Sequence, residues 1–188
     1  GRRVAFRDDR DVQVASGRTL TVWVDFLAPE YVTGGRGRNR RHQRKQDLAA
    51  LKEPGVDLAF RDAVPCTFRA RLPNGSEREV TIRMAGVASC IAMKAITFGR
   101  RHKAKHAYDL YMLLRRYPGG VPAIAAKVKL LAGDRTVRKA LATLAKDFET
   151  PVAPGPVAVG EFLGIVGEER DIVARGAFEV MRALLDAI

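Results

Sequence analysis

The sequence predicts an α+β fold, with an antiparallel or mixed sheet in the first half packed against a helical second half. Three observations carry this. Apolar residues alternate with period two up to about residue 84, the period lengthens to about 3.6 from residue 86, and turn residues punctuate both halves. A chain of 188 residues suits one ordinary domain. The expectation is therefore a single domain over 1–188, strand-rich at 1–84 and helical at 85–188.

Residues 3–7, 11–15 and 19–27 read as short strands, with Ser16 and Gly17 turning the second into the third. Asp8, Asp9 and Asp11, within DDRD, fall in what reads as a solvated turn. In the third strand, TLTVWVDFL, alternation places Leu20, Val22, Val24 and Phe26 on one face and Trp23 and Asp25 on the other. Residues 33–46 read as a charged loop containing Gly34, Gly35 and Gly37. Its Arg36, Arg38, Arg40, Arg41, Arg44 and Lys45 put six cations into ten residues. A short helix is expected at Asp47–Lys52, stopped by Pro54 and Gly55, and VDLAF at 56–60 reads as a strand. CTFRARL and REVTIRM, within 66–84, alternate around Pro73-Asn74-Gly75-Ser76, a hairpin signal because Asn and Gly tolerate positive φ.

Helices are expected at 86–99, 104–117, 121–132, 135–148 and about 168–187, with Asp134 capping the fourth. Gly99, Pro118-Gly119-Gly120 and Gly133 punctuate them. PVAPGPVAVG, at 151–160, reads as a Pro/Gly-rich connector. The sequence has neither an internal repeat nor a Walker-type or GxGxxG loop.

Thirty-three Lys and Arg against 21 Asp and Glu give a formal net charge of +12, which attracts polyanions. No apolar run approaches the roughly 20 residues of a membrane helix, and no apolar signal core follows the basic amino terminus. A cytoplasmic location without a membrane partner is expected. Cys66 and Cys90, without a CxxC, read as reduced core thiols.

Two charges stand out because their surroundings are apolar. Lys94 lies within MAGVASCIAMKAITF, and Asp109 lies within AYDLYMLL, where Leu110, Leu113 and Leu114 are expected to bury one helix face. A buried ammonium is costly unless it is paired, so Lys94 either snorkels or meets an anion. Opposite charges on consecutive helices imply proximity, either as a structural ion pair or lining one cleft. Asp25, near the end of an apolar strand, is either a solvent-facing strand-end residue or a metal ligand, and periodicity favours the former. His102 and His106 share a spacing of four, but the repulsion of Arg100, Arg101, Lys103 and Lys105 disfavours a cation there.

The stretch VASCIAMKAITFGRRHKAKHAYDLYMLL resembles the AbiEii/AbiGii-type nucleotidyltransferase toxins of the DNA polymerase β-like superfamily. Their pattern is a helical lysine, an Arg-rich turn and then K-D-x-x-D-L-Y. VWVDFLAPE resembles the strand that carries the family's third metal-site carboxylate. The resemblance implies a nucleotidyltransferase-like fold and three site roles. Asp25 would be a Mg²⁺ ligand, Lys94 would contact nucleotide phosphates, and Asp109 would orient Lys94 or a substrate hydroxyl. Arg101, Lys103 and Lys105 would add positive potential. Two departures stand out: no Gly-Ser followed by D-x-D precedes Asp25, and His106 replaces the first acid of K-D-x-x-D. The chain is then either a fragment or a degenerate member, and is expected to be inactive or very weak as given.

In its complete form, the family resemblance implies transfer of a nucleotide from an NTP to an RNA or protein acceptor, with a tRNA end as one case, in a toxin–antitoxin system. The alternative is a non-catalytic basic domain. It would bind nucleic acid through Arg36, Arg38, Arg40, Arg41 and the 100–105 turn, or it would bind a cognate antitoxin.

Overall fold

A computed structural model describes residues 7–13, 17–29, 40–42, 49–72 and 74–188. The chain divides into two compact units, Gly1–Met84 and Ala85–Ile188. The described residues hold small β-sheets in the first half and six α-helices in the second, an α+β fold.

In the first unit, β1 (Arg7–Gln13) pairs antiparallel with β2 (Thr19–Asp25). DDRD therefore belongs to a strand, not to the expected turn. Local composition favours a turn there, but the cross-strand ladder supplies its backbone hydrogen bonds. The expected strand at 19–27 ends at Asp25, and β3 (Leu27–Pro29) follows separately. β3 pairs parallel with β5 (Ala49–Glu53), and β4 (Arg40–His42) pairs antiparallel with β5 on its other edge. Two corrections follow. Arg40–His42, within the expected loop, forms a strand. AALKE, expected as helix, is also a strand, because pairing on both edges overrides its helical propensity.

VDLAF is a 3-10 turn, Val56–Phe60, rather than a strand. Gly55 precedes it in the left-handed region at φ 80°, which reverses the chain after Pro54. Val56 and Leu58 are buried, and Asp57 pairs with Arg61 one turn later at 3.7 Å.

The predicted hairpin is present as β6 (Val64–Arg71) and β7 (Glu77–Met84), with Phe68 opposite Val80 and Thr67 opposite Thr81. The hydroxyls of Thr67 and Thr81 lie 2.8 Å apart. In the turn, Asn74 Oδ1 accepts from both the backbone N–H and the hydroxyl of Ser76.

The second unit contains α1 (Val87–Arg101), α2 (Ala104–Arg116), α3 (Gly120–Leu131), α4 (Arg135–Asp147), α5 (Pro154–Leu163) and α6 (Gly167–Asp186). The first four and the last lie where periodicity places them. Asp134 caps α4 as expected, accepting from the backbone N–H of Thr136 at 2.6 Å and of Val137 at 3.4 Å. The fifth helix corrects the connector expected at 151–160. Pro154 and Pro156 occupy its first turn, where backbone N–H groups have no helical partner and proline costs little. Its glycines allow close approach instead of flexibility: Gly155 lies against the Phe148 ring and Gly160 against the Arg170 side chain.

α1 packs on α2, α3 and α4, while α5 packs on α2 and α6. Phe98, Leu110, Ile124, Leu144, Val159, Met181 and Leu184 are almost fully buried between them. No described helix is long and apolar enough to cross a membrane.

Candidate functional site

Only His102 and Lys103 separate α1 from α2, so the two helices form a hairpin. His102 has left-handed backbone, φ 44° and ψ 33°, and its N–H bonds back to Phe98 O at 2.7 Å. Its ring meets Phe98 edge-on at 5.1 Å, and its Nε2 lies 3.7 Å from Oδ2 of the buried Asp147. These contacts, with Phe98 on α1 and Asp147 on α4, hold the joint in its unusual conformation.

α1 buries Ile91, Ala92, Ala95, Ile96 and Phe98 and leaves Cys90 and Lys94 half-buried on the flank toward α2. α2 buries Ala107, Leu110 and Leu114. Leu113, expected in that buried face, instead lines an open cleft. Lys94 Nζ reaches Asp109 Oδ2 at 2.5 Å, with the two side chains 32% and 26% exposed. Lys105, one turn before Asp109 on α2, lies 3.7 Å from the same oxygen. The facing charges read from the sequence thus meet in one place.

The cleft has a volume of about 580 Å³, within the roughly 300–1,000 Å³ common for small-molecule sites. Lys94, Lys105 and Asp109 line one part of it, and Cys90, Met112, Leu113, Tyr117 and Pro118 line the rest, with Arg116 among them. Three cations thus face one carboxylate, leaving an excess of positive potential for an anion.

His106, also on α2, sits beside this cluster with Nδ1 buried and without a hydrogen-bond partner. Burial lowers its pKa below the ordinary 6.5, and the Lys94 charge lowers it further. The Asp109 charge opposes the shift, while Lys105 and Lys103 reinforce it. A neutral ring here avoids adding a further cation to the cluster.

Other residues singled out by the sequence lie elsewhere. Arg101 ends α1 and Lys103 caps α2. Both are exposed, and neither lines the cleft. His102 occupies the joint and His106 the helix, so their spacing does not place two ligands on one helical face. Arg36 and Arg38 lie outside the described residues, as do 33–39 and 43–46 of the expected loop. Arg40 and Arg41 belong to β4.

Asp25 ends β2, exposed, in register with Arg7, whereas Asp11 is in register with Thr21 and accepts from its hydroxyl at 2.8 Å. Four residues of strand separate these two rungs, about 13 Å. Among the described residues, no three His, Cys, Asp or Glu side chains gather as metal donors. Asp11 and Asp25 therefore do not converge on one ion.

Sequence reasoning missed Met112, Arg116 and Tyr117 and took Cys90 for a core thiol. Both cysteines are half-buried. The available signal was the spacing Lys105, Asp109, Met112, Leu113, Arg116, a continuous stripe on α2 with charged residues at both ends and an apolar middle.

A family model described as nucleotidyl transferase AbiEii toxin, Type IV TA system, matches residues 24–162. No curated protein and no solved structure gives a significant match. The matched segment runs from β2 into α5 and includes both charged residues that meet across the α1–α2 hairpin. The chain belongs to the AbiEii nucleotidyl transferase toxin family of Type IV toxin–antitoxin systems.

Proposed function

We propose that the α1–α2 cleft binds the polyphosphate of an NTP, which family membership implies as the donor, for transfer to an RNA acceptor. The observation that carries this reading is the cleft of about 580 Å³ in which Lys94 and Lys105 share the single carboxylate of Asp109. An entering phosphate competes with that carboxylate for both ammonium groups. Lys94 then serves as the phosphate contact, and Asp109 orients it by holding Nζ toward α2. Arg101, Lys103 and Lys105 raise the local potential that draws a polyanion in.

The family reading brings a divalent cation with it, and Mg²⁺ is the ion we propose, with Asp25 as a ligand. No step is assigned to that ion, because the described carboxylates do not converge. In this reading the two units are parts of one domain, and the protein works in the cytoplasm, where NTPs, RNA and a cognate antitoxin are present.

Titration of the chain with labelled NTP tests the reading, alongside incubation with Mg²⁺ and total RNA. Saturable NTP binding that Lys94→Ala weakens about tenfold or more is expected, with label transfer weak relative to binding. Absence of binding to any NTP, or binding indifferent to Lys94→Ala, overturns it.

A second reading rests on a specific observation: Arg100, Arg101, Lys103 and Lys105 are all exposed around the α1–α2 joint. A non-catalytic domain that tracks a nucleic-acid backbone with this turn, and with Arg36, Arg38, Arg40 and Arg41, gives steeply salt-dependent RNA binding. Such binding without any NTP binding favours this alternative.

A further inference from the structure

The cleft is not uniformly charged, and its polarity has a direction. Lys105, Asp109, Leu113 and Tyr117 follow one another at four-residue intervals on α2, ending at its carboxyl-terminal cap. At 1.5 Å per residue, the stripe from Lys105 to Tyr117 spans about 18 Å, long enough for a nucleoside triphosphate in extended form. α1 runs back along it: Lys94 lies opposite Asp109, and Cys90, one turn earlier, lines the part beyond. One end of the cleft thus carries the Lys94–Lys105–Asp109 cluster, and the other is walled by a thiol, a thioether, an aliphatic chain and an aromatic ring, with Arg116 beside them. A site for bare phosphate has no use for that second end.

We infer that the Met112, Leu113 and Tyr117 wall is a nucleobase subsite. The base lies against Tyr117 while the phosphates extend toward Lys94 and Lys105. The inference rests on the NTP reading of the cationic end and adds to it that the base, not only the triphosphate, is recognised. The occupant follows from continuity of charge. A ligand held at its anionic end by two lysines and at its flat, weakly polar end by an aromatic ring has the polarity of an NTP. Tyr117 offers a π-face to every base, so stacking gives affinity with little preference among bases. Arg116, a donor without an acceptor, flanks this end and favours base edges that carry acceptors.

The experiment titrates the full chain calorimetrically with inorganic tripolyphosphate and with each of the four NTPs. NTPs are expected to bind about tenfold or more tighter than tripolyphosphate, the increment of one stacked base. Tyr117→Ala removes that difference and leaves tripolyphosphate affinity unchanged. Tyr117→Phe retains it, and Lys94→Ala weakens both ligands. A second readout needs no variant: NTP slows alkylation of Cys90 and tripolyphosphate does not, with Cys66 as the internal reference. Equal binding of NTP and tripolyphosphate by the unmodified chain overturns the base subsite and leaves the phosphate reading standing. An NTP advantage that survives Tyr117→Ala, with Cys90 unprotected, overturns it as well. Failure of both ligands to bind overturns both readings.

Discussion

Lys94 and Asp109, each the charged exception in its own apolar stretch, place Nζ and Oδ2 2.5 Å apart across the α1–α2 hairpin. The pair is partly shielded from water, so its attraction is screened less than that of a surface ion pair, while its desolvation cost stays below that of a fully buried one. A double-mutant cycle with Lys94→Met and Asp109→Asn is expected to show coupling of about 1 kcal/mol by chemical denaturation. Asp109→Asn is expected to be the more damaging single change, because it leaves Lys94 and Lys105 facing each other. Additive single effects would mean that the contact does not persist in solution.

His106 provides a pH signature. Its pKa is lowered by burial first and by Lys94 second, so the unfolded chain takes up the proton before the folded one does. Stability is therefore fully present above the ordinary value near 6.5 and declines as pH falls below it. The chain has three histidines, so proton NMR can follow each one. The His106 resonance is expected to titrate below the usual range and to move upward in Lys94→Met. An unmoved titration would remove Lys94 from the causes.

Gly155→Ala is expected to destabilise the chain by about 1–3 kcal/mol, because an added Cβ at this buried position meets the Phe148 ring. Gly133→Ala is the matched control, with open space around its Cβ position. Its effect should stay within about 0.5 kcal/mol. Thermal melts of the two variants decide the matter, and equal midpoints would refute the close packing of α5.

Asp134→Ala removes the cap of α4 and should cost about 1 kcal/mol. Asp134→Asn keeps the acceptor oxygen and should recover most of that loss. A full loss in the Asn variant would assign the effect to charge instead of to the hydrogen bonds with Thr136 and Val137.

The sequence made Lys94 and Asp109 legible because an unpartnered charge in an apolar helix is expensive wherever the helix packs. Helices α1 to α4 and α6 were legible for a related reason, since each carries its own period. Ala49–Glu53 was not legible as a strand, because its state depends on β3 and β4 and not on its own residues. Pro154–Leu163 was misread because proline and glycine signal a turn locally but serve a first helical turn and close packing here. Cys90, Met112 and Tyr117 look like ordinary apolar positions on paper. Only the angle between α1 and α2 turns their faces into a wall.

The left-handed backbone at His102 sets a rule for what can occupy this joint. Outside glycine such a conformation costs about 1 kcal/mol or more, and Asn and Asp tolerate it better than most. A β-branched residue at 102 holds that φ only at a higher cost, which favours rotation of the following peptide plane and shifts α2 against α1. Variation at this position is therefore filtered by stereochemistry before chemistry. Val or Ile at 102 would loosen the cleft without touching a residue that lines it, whereas Gly would accept the same backbone and lose only the ring contacts to Phe98 and Asp147.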